Sequence, residues 1–74
     1  MKRLNDIGLV SFLTCKGFKI DKTERQKDNK LVFMFESDDK LEKAILEYYN
    51  HEAQIDPLKF NETLRNLKSL AKQG

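Results

Sequence analysis

The chain has one cysteine, one proline, one histidine, three glycines and no tryptophan among its 74 residues. The lone thiol of Cys15 cannot close an internal disulfide and has no second thiol with which to share a metal, which excludes a disulfide-stapled secreted scaffold. A reducing, cytoplasmic location is the expectation. No apolar run approaches the roughly 18 residues that a membrane helix needs. The opening Met1, Lys2 and Arg3 lead into a stretch interrupted by Asn5, Asp6 and Gly8, which reads as a helix and not as a signal peptide. With so few glycines and prolines and no low-complexity tract, little of the chain is linker. It reads as one domain spanning 1–74.

A chain of this length lies near the lower limit at which a single core folds without disulfides or metal. Charged residues make up 35% of it, above the globular average, but their signs are mixed and the apolar residues are periodic, which favours a folded chain. The charges come in blocks. Residues 1–34 hold eight Lys/Arg against four Asp/Glu (+4), residues 35–56 two against seven (−5), and residues 57–74 four against one (+3). A basic head and tail thus flank an acidic middle.

Asn5 or Asp6 can cap a first helix running to about Lys16, with Gly17 as its left-handed stop. Ile7, Leu9, Val10, Phe12 and Leu13 cover most of this helix's circumference, which predicts contact on two sides, with other elements or with a partner. From Phe18 the period changes to two, and Gln26 to Asn29 is a polar turn, so Phe18 begins a strand that returns through Leu31 to Glu36 as a hairpin. With Asp28 and Asn29 as central turn residues, Thr23 lies opposite Met34 and Lys22 opposite Phe35. Phe18, Ile20, Phe33 and Phe35 then face the core. Val32 and Met34 fall on the outer face beside Thr23 and Arg25, a patch that needs a cover or a partner.

Ser37, Asp38 and Asp39 suit a helix start, and Glu42 stands three residues after Asp39 as in a capping box. Leu41, Ala44, Ile45, Tyr48 and Tyr49 follow at i, i+3, i+4, i+7 and i+8, the cleanest amphipathic pattern in the chain. Asn50 is the expected left-handed terminator. Asp56 caps the last helix and Pro57 occupies its first turn, where a missing amide costs nothing. Phe60, Leu64, Leu67 and Ala71 form its buried stripe, with Thr63 and Leu70 at the edge. Arg65, Lys68 and Lys72 gather on the opposite side within about 60° of arc at 3.6 residues per turn. The fold class is α+β, in the order helix, β-hairpin, helix, helix (αββαα).

The Ile7 to Gly17 helix, the apolar strand Val32 to Phe35, and Tyr48, Tyr49, Asn50 followed by Asp56, Pro57, Phe60, Leu64, Arg65, Leu67 and Lys68 resemble a family of small uncharacterised domains. That "domain of unknown function" family occurs in bacteria, their phages and other mobile elements. The resemblance spans nearly the whole chain. It implies a phage or prophage accessory setting and brings no activity with it.

No catalytic, cofactor or metal motif stands out. A catalytic zinc normally takes three protein ligands of the His, Cys or acidic kind. His51, beside Glu52 and Asp56, has no second His or Cys near it in sequence and reads as a solvated connector residue. A Cys15 and His51 nucleophilic pair is conceivable, but a buried helix cysteine is the simpler reading. Glu36, Asp38, Asp39 and Glu42 are explained by the helix start they complement.

Two binding roles remain, both non-enzymatic and neither needing a cofactor or a small-molecule substrate. The first is protein association, with a partner protein or as a homodimer, through Val32, Met34, Phe12 and Tyr49. The alternative is a small DNA- or RNA-binding regulator using Arg65, Lys68 and Lys72 with Lys19 and Arg25.

Overall fold

A computed structural model describes residues 1–72 of the chain. Its elements, in chain order, are β1 (Lys2–Leu4), α1 (Ile7–Cys15), β2 (Lys22–Arg25), β3 (Leu31–Phe35), α2 (Asp39–Tyr49) and α3 (Pro57–Lys72). The α+β class and the order helix, hairpin, helix, helix hold. The sheet has three antiparallel strands, however, in the order β1-β3-β2.

The added strand, β1, explains why β3 is apolar on both faces: it is the central strand. Leu4 pairs with Phe33, Arg3 with Met34 and Lys2 with Phe35. Directly paired residues share a face, so Lys2 and Leu4 lie on the core side with Phe33 and Phe35. From there Lys2 reaches α2, its Nζ 3.0 Å from Glu42 Oε1.

The hairpin register differs by one residue from the expectation. Lys22 pairs with Met34, Thr23 with Phe33, Glu24 with Val32 and Arg25 with Leu31. The cause is the turn. Asn29 adopts φ 70° and donates its amide to the Gln26 carbonyl, while Gln26 donates to the Lys30 carbonyl. The connection is therefore a three-residue loop ending in a left-handed residue, and Asn29 does the work usually given to glycine. The shift turns every β2 side chain over: Thr23 and Arg25 face the helices, and Lys22 and Glu24 share the outer face with Val32 and Met34. Strand β2 also begins at Lys22, not Phe18; Phe18 and Ile20 precede it as half-buried residues packed on the core.

Helix α1 is the centre of the molecule. Asp6 caps it, accepting from the amides of Gly8 at 3.0 Å and Leu9 at 3.3 Å. Five consecutive residues, Leu9, Val10, Ser11, Phe12 and Leu13, are buried, because α3, α2 and the sheet enclose the helix. Ser11 tolerates burial by donating its hydroxyl to the Ile7 carbonyl at 2.7 Å. At the other end Phe18 donates its amide to the Leu13 carbonyl and Gly17 to that of Thr14, with Gly17 at φ 101°. These paired bonds are the Schellman terminus.

Helix α2 ends the same way without a glycine. Glu52 donates to the Glu47 carbonyl and His51 to that of Tyr48, and the left-handed residue is His51, at φ 59°. Asn50, expected there, has φ −87°. The N-cap of α2 is Asp38, which accepts from the Leu41 amide at 2.8 Å. That places Leu41 at the third helical position, so Glu42 forms no capping box and turns to Lys2 instead. Asp56 starts α3, its Oδ1 3.0 Å from the Leu58 amide. Leu67 is the buried centre of the α3 stripe, with Phe60, Thr63, Leu64 and Ala71 half-buried around it and Leu70 exposed.

Candidate binding surfaces

Three of the four residues expected to meet a partner protein are inside. Phe12 lies in the core of α1, and Val32 and Met34 are each only 4% exposed. The two strand residues are flanked by long side chains on their own face: Arg3 and Lys22 stand on either side of Met34, and Glu24 stands beside Val32. Arg3 donates both terminal nitrogens to Glu24, at 3.4 and 3.5 Å, bridging the outer strands across β3. Aliphatic stems beneath charged heads shield apolar neighbours well, so the outer sheet face needs no partner to cover it. The surplus apolar circumference of α1 is likewise accounted for within the chain.

Tyr49 is the exception, at 56% exposure, and Leu46, one turn earlier on α2, is 62% exposed. The Tyr49 ring stands edge-on to Tyr48 at 5.5 Å, and Tyr48 leans on Phe12 at 5.4 Å. A relay of rings thus runs from the core to the surface and restricts the outermost one. Tyr48 is half-buried, and its phenol pKa is raised, by burial first and then by the charges of Asp6 and Tyr49. The Tyr48 hydroxyl also approaches the α1 backbone at Gly8, where a Cβ would lie 2.7 Å from it. Leu46 had no place in the i, i+3, i+4 stripe of α2. That misfit is the one sequence signal that marks it as a surface residue.

The basic residues divide. Arg65, Lys68 and Lys72 are all exposed on α3, and Lys19 is exposed in the segment after α1. Arg25 is committed elsewhere: flipped inward by the register, it donates one nitrogen to the carbonyls of Asn29 at 2.9 Å and Ala71 at 3.1 Å. It thereby holds the hairpin turn against the last turn of α3, where a cation complements the negative helix end. Asn61, Leu64, Arg65 and Lys68 line an open concavity of about 280 Å³. A second, of about 340 Å³, opens where α1 begins and α3 ends, floored by Ile7, Phe33 and Ala71 and rimmed by Asn5 and Lys30.

The Cys15 thiol donates to Thr63 Oγ1 at 3.3 Å, joining α1 to α3. His51 is exposed in the turn after α2. Among the described residues no three His, Cys, Asp or Glu side chains are grouped as a metal site, and no helix is long and apolar enough to cross a membrane.

These surfaces belong to a small α+β domain whose core draws on β3 and all three helices. The chain belongs to the family described as Domain of unknown function (DUF5659), whose model matches residues 3–73. No curated protein and no solved structure matches it.

Proposed function

We propose that this domain is a non-enzymatic binding module that docks a protein partner on the outer face of α2, as a cytoplasmic accessory protein of a phage or other mobile element. The accessory setting rests on the family resemblance. The docking face rests on one observation: Leu46 and Tyr49 stand a turn apart and more than half exposed on a helix whose opposite side is anchored in a closed core. Tyrosine is enriched at binding hot spots because it offers a large rigid surface at low entropic cost. The ring relay through Tyr48 to Phe12 limits the freedom that Tyr49 would lose on docking. The partner is a foreign protein or a second copy of this chain.

A photo-reactive residue placed at Leu46 is expected to give a discrete adduct in the native host, absent when the same residue is placed at Lys59 on α3. Tyr49→Ala should reduce the yield at least about tenfold, the scale of a hot-spot loss. Light scattering across a concentration range separates the two kinds of partner. Equal adducts from Leu46 and Lys59, or none from Leu46, would refute the assignment.

A further inference from the structure

We infer a phosphodiester-binding stripe along α3, separate from the α2 face, formed by Arg65, Lys68 and Lys72 with Asn61 as a neutral donor at its upper end. At 100° per residue these four positions fall within about 60° of arc, and all four side chains are exposed. Asn61, Arg65 and Lys68 already share the walls of one concavity.

Two observations distinguish the stripe from an ordinary solvated helix face. First, its cations are not spent. The ion pairs among the described residues are Lys2 with Glu42 and Arg3 with Glu24; Glu62, the single acid of α3, stands three residues before Arg65 and about 60° around the helix from it, at the flank of the stripe and without an ion pair to it. A face that only solvates a helix commonly alternates sign at i, i+4; this one carries three positive charges in succession. Second, Arg25 sits on the Ala71 carbonyl beside Lys72. The C-terminal end of a helix carries roughly half a negative charge, which would depress the positive potential around Lys72. The guanidinium offsets it, so the stripe stays positive to its end.

The spacing suits a nucleic-acid backbone. Arg65 to Lys72 covers about 10 Å of helix at 1.5 Å per residue, an axial length over which one strand of a duplex presents about three phosphates. The opposite side of α3 is fixed to the core by Leu67 and by the Cys15 to Thr63 bond, so the cations stand on a rigid rod. The ligand class is a nucleic-acid phosphate backbone, read by charge and spacing.

The test is fluorescence anisotropy of the full chain with labelled duplex DNA, duplex RNA and single-stranded DNA in parallel, the three arms identifying which backbone is preferred. Three phosphate contacts give a slope of about −2.7 in log affinity against log salt on duplex DNA, or about a 40-fold loss between about 50 and about 200 mM. The Lys68→Gln, Lys72→Gln double variant should lower the slope to about −0.9 and the loss to about 3- to 4-fold. Lys43→Gln and Lys59→Gln, also exposed, should leave both unchanged, with circular dichroism confirming the fold of each variant. Three results would overturn the inference: no binding to any arm at 50 mM salt, equal weakening by the control variants, or binding to polyglutamate as tight as to the nucleic acids, which would assign the stripe to an acidic protein surface.

Discussion

The hydroxyl of Tyr48 occupies the space where a side chain on Gly8 would begin, 2.7 Å from an added Cβ, while the ring carbon bearing it would be 3.9 Å away. A glycine inside a helix costs about 1 kcal/mol relative to alanine; here the close approach of α2 to α1 accounts for it. Gly8→Ala in the wild-type background is expected to be neutral or destabilising. In a Tyr48→Phe background, where Asp6 Oδ1 at 3.4 Å and the ring carbon at 3.9 Å remain as contacts, the same change in the first turn should stabilise by up to about 1 kcal/mol. Urea unfolding of the four proteins in the cycle measures the coupling, and additivity would show that the hydroxyl does not set the identity of residue 8.

The raised pKa of Tyr48 has a consequence at alkaline pH. The unfolded phenol ionises near 10.0 while the folded one is still protonated, its anion disfavoured by burial and by the Asp6 and Tyr49 charges. The unfolded state therefore binds fewer protons in that window, and stability falls as pH rises from the unfolded value through the folded one. Thermal melts between pH 8 and 11.5 should show a steeper alkaline decline for wild type than for Tyr48→Phe.

His51 holds a left-handed conformation that costs an ordinary L-residue about 1–2 kcal/mol. Glycine avoids that strain but loses more entropy on folding, so His51→Gly should stabilise by a net amount of about 0.5–1 kcal/mol. In a domain this small that is a rise in Tm of several degrees, about 4–8 °C per kcal/mol. The same change at Asn50, whose φ is −87°, should destabilise.

Removing the Arg25 guanidinium leaves the Asn29 and Ala71 carbonyls without their shared donor. Arg25→Gln should cost about 1–2 kcal/mol. Amide exchange should accelerate in the hairpin turn and the last turn of α3 together, a pairing that no local surface substitution would produce. Arg25→Lys, a compact charge without the planar fork, should fall between the two.

Met34→Ala should cost about 2–5 kcal/mol, the range for a buried large-to-small change. A Met34 lying open on the sheet would lose well under 1 kcal/mol. Arg3→Ala should raise the exposure of Met34 and is expected to destabilise by more than the small value of an exposed ion pair, because it also removes apolar cover.

What the sequence disclosed followed the strength of its local signals. The three helices were legible because each carries its own punctuation: Asp6 and Gly17, Asp38, then Asp56 with Pro57. Strand β1 was hidden because three residues, two of them cationic, make no period; its identity depends on β3 lying about thirty residues away. The register is not legible because nothing local distinguishes a two-residue from a three-residue turn, and the left-handed Asn29 has no glycine to announce it. The register of a two-residue turn makes Arg25 look free, whereas Val32 and Met34 look exposed because the hidden strand β1 takes with it Arg3, part of the cover on their face. Arg65, Lys68 and Lys72 are exposed on α3, on the side that helical geometry alone determines.

Strand β1 also has a protective role. The run Leu31 to Phe35 combines β-branched, aromatic and aliphatic residues without a charge or a proline, the composition that stacks readily between molecules when one of its edges is bare. Lys2, Arg3 and Leu4 close one of those edges. Cleavage after Leu4 would cut β1 from the chain and unzip one side of the central strand. The expected result is a protein inclined to assemble edge to edge, with its first four residues having served as the guard against fibres.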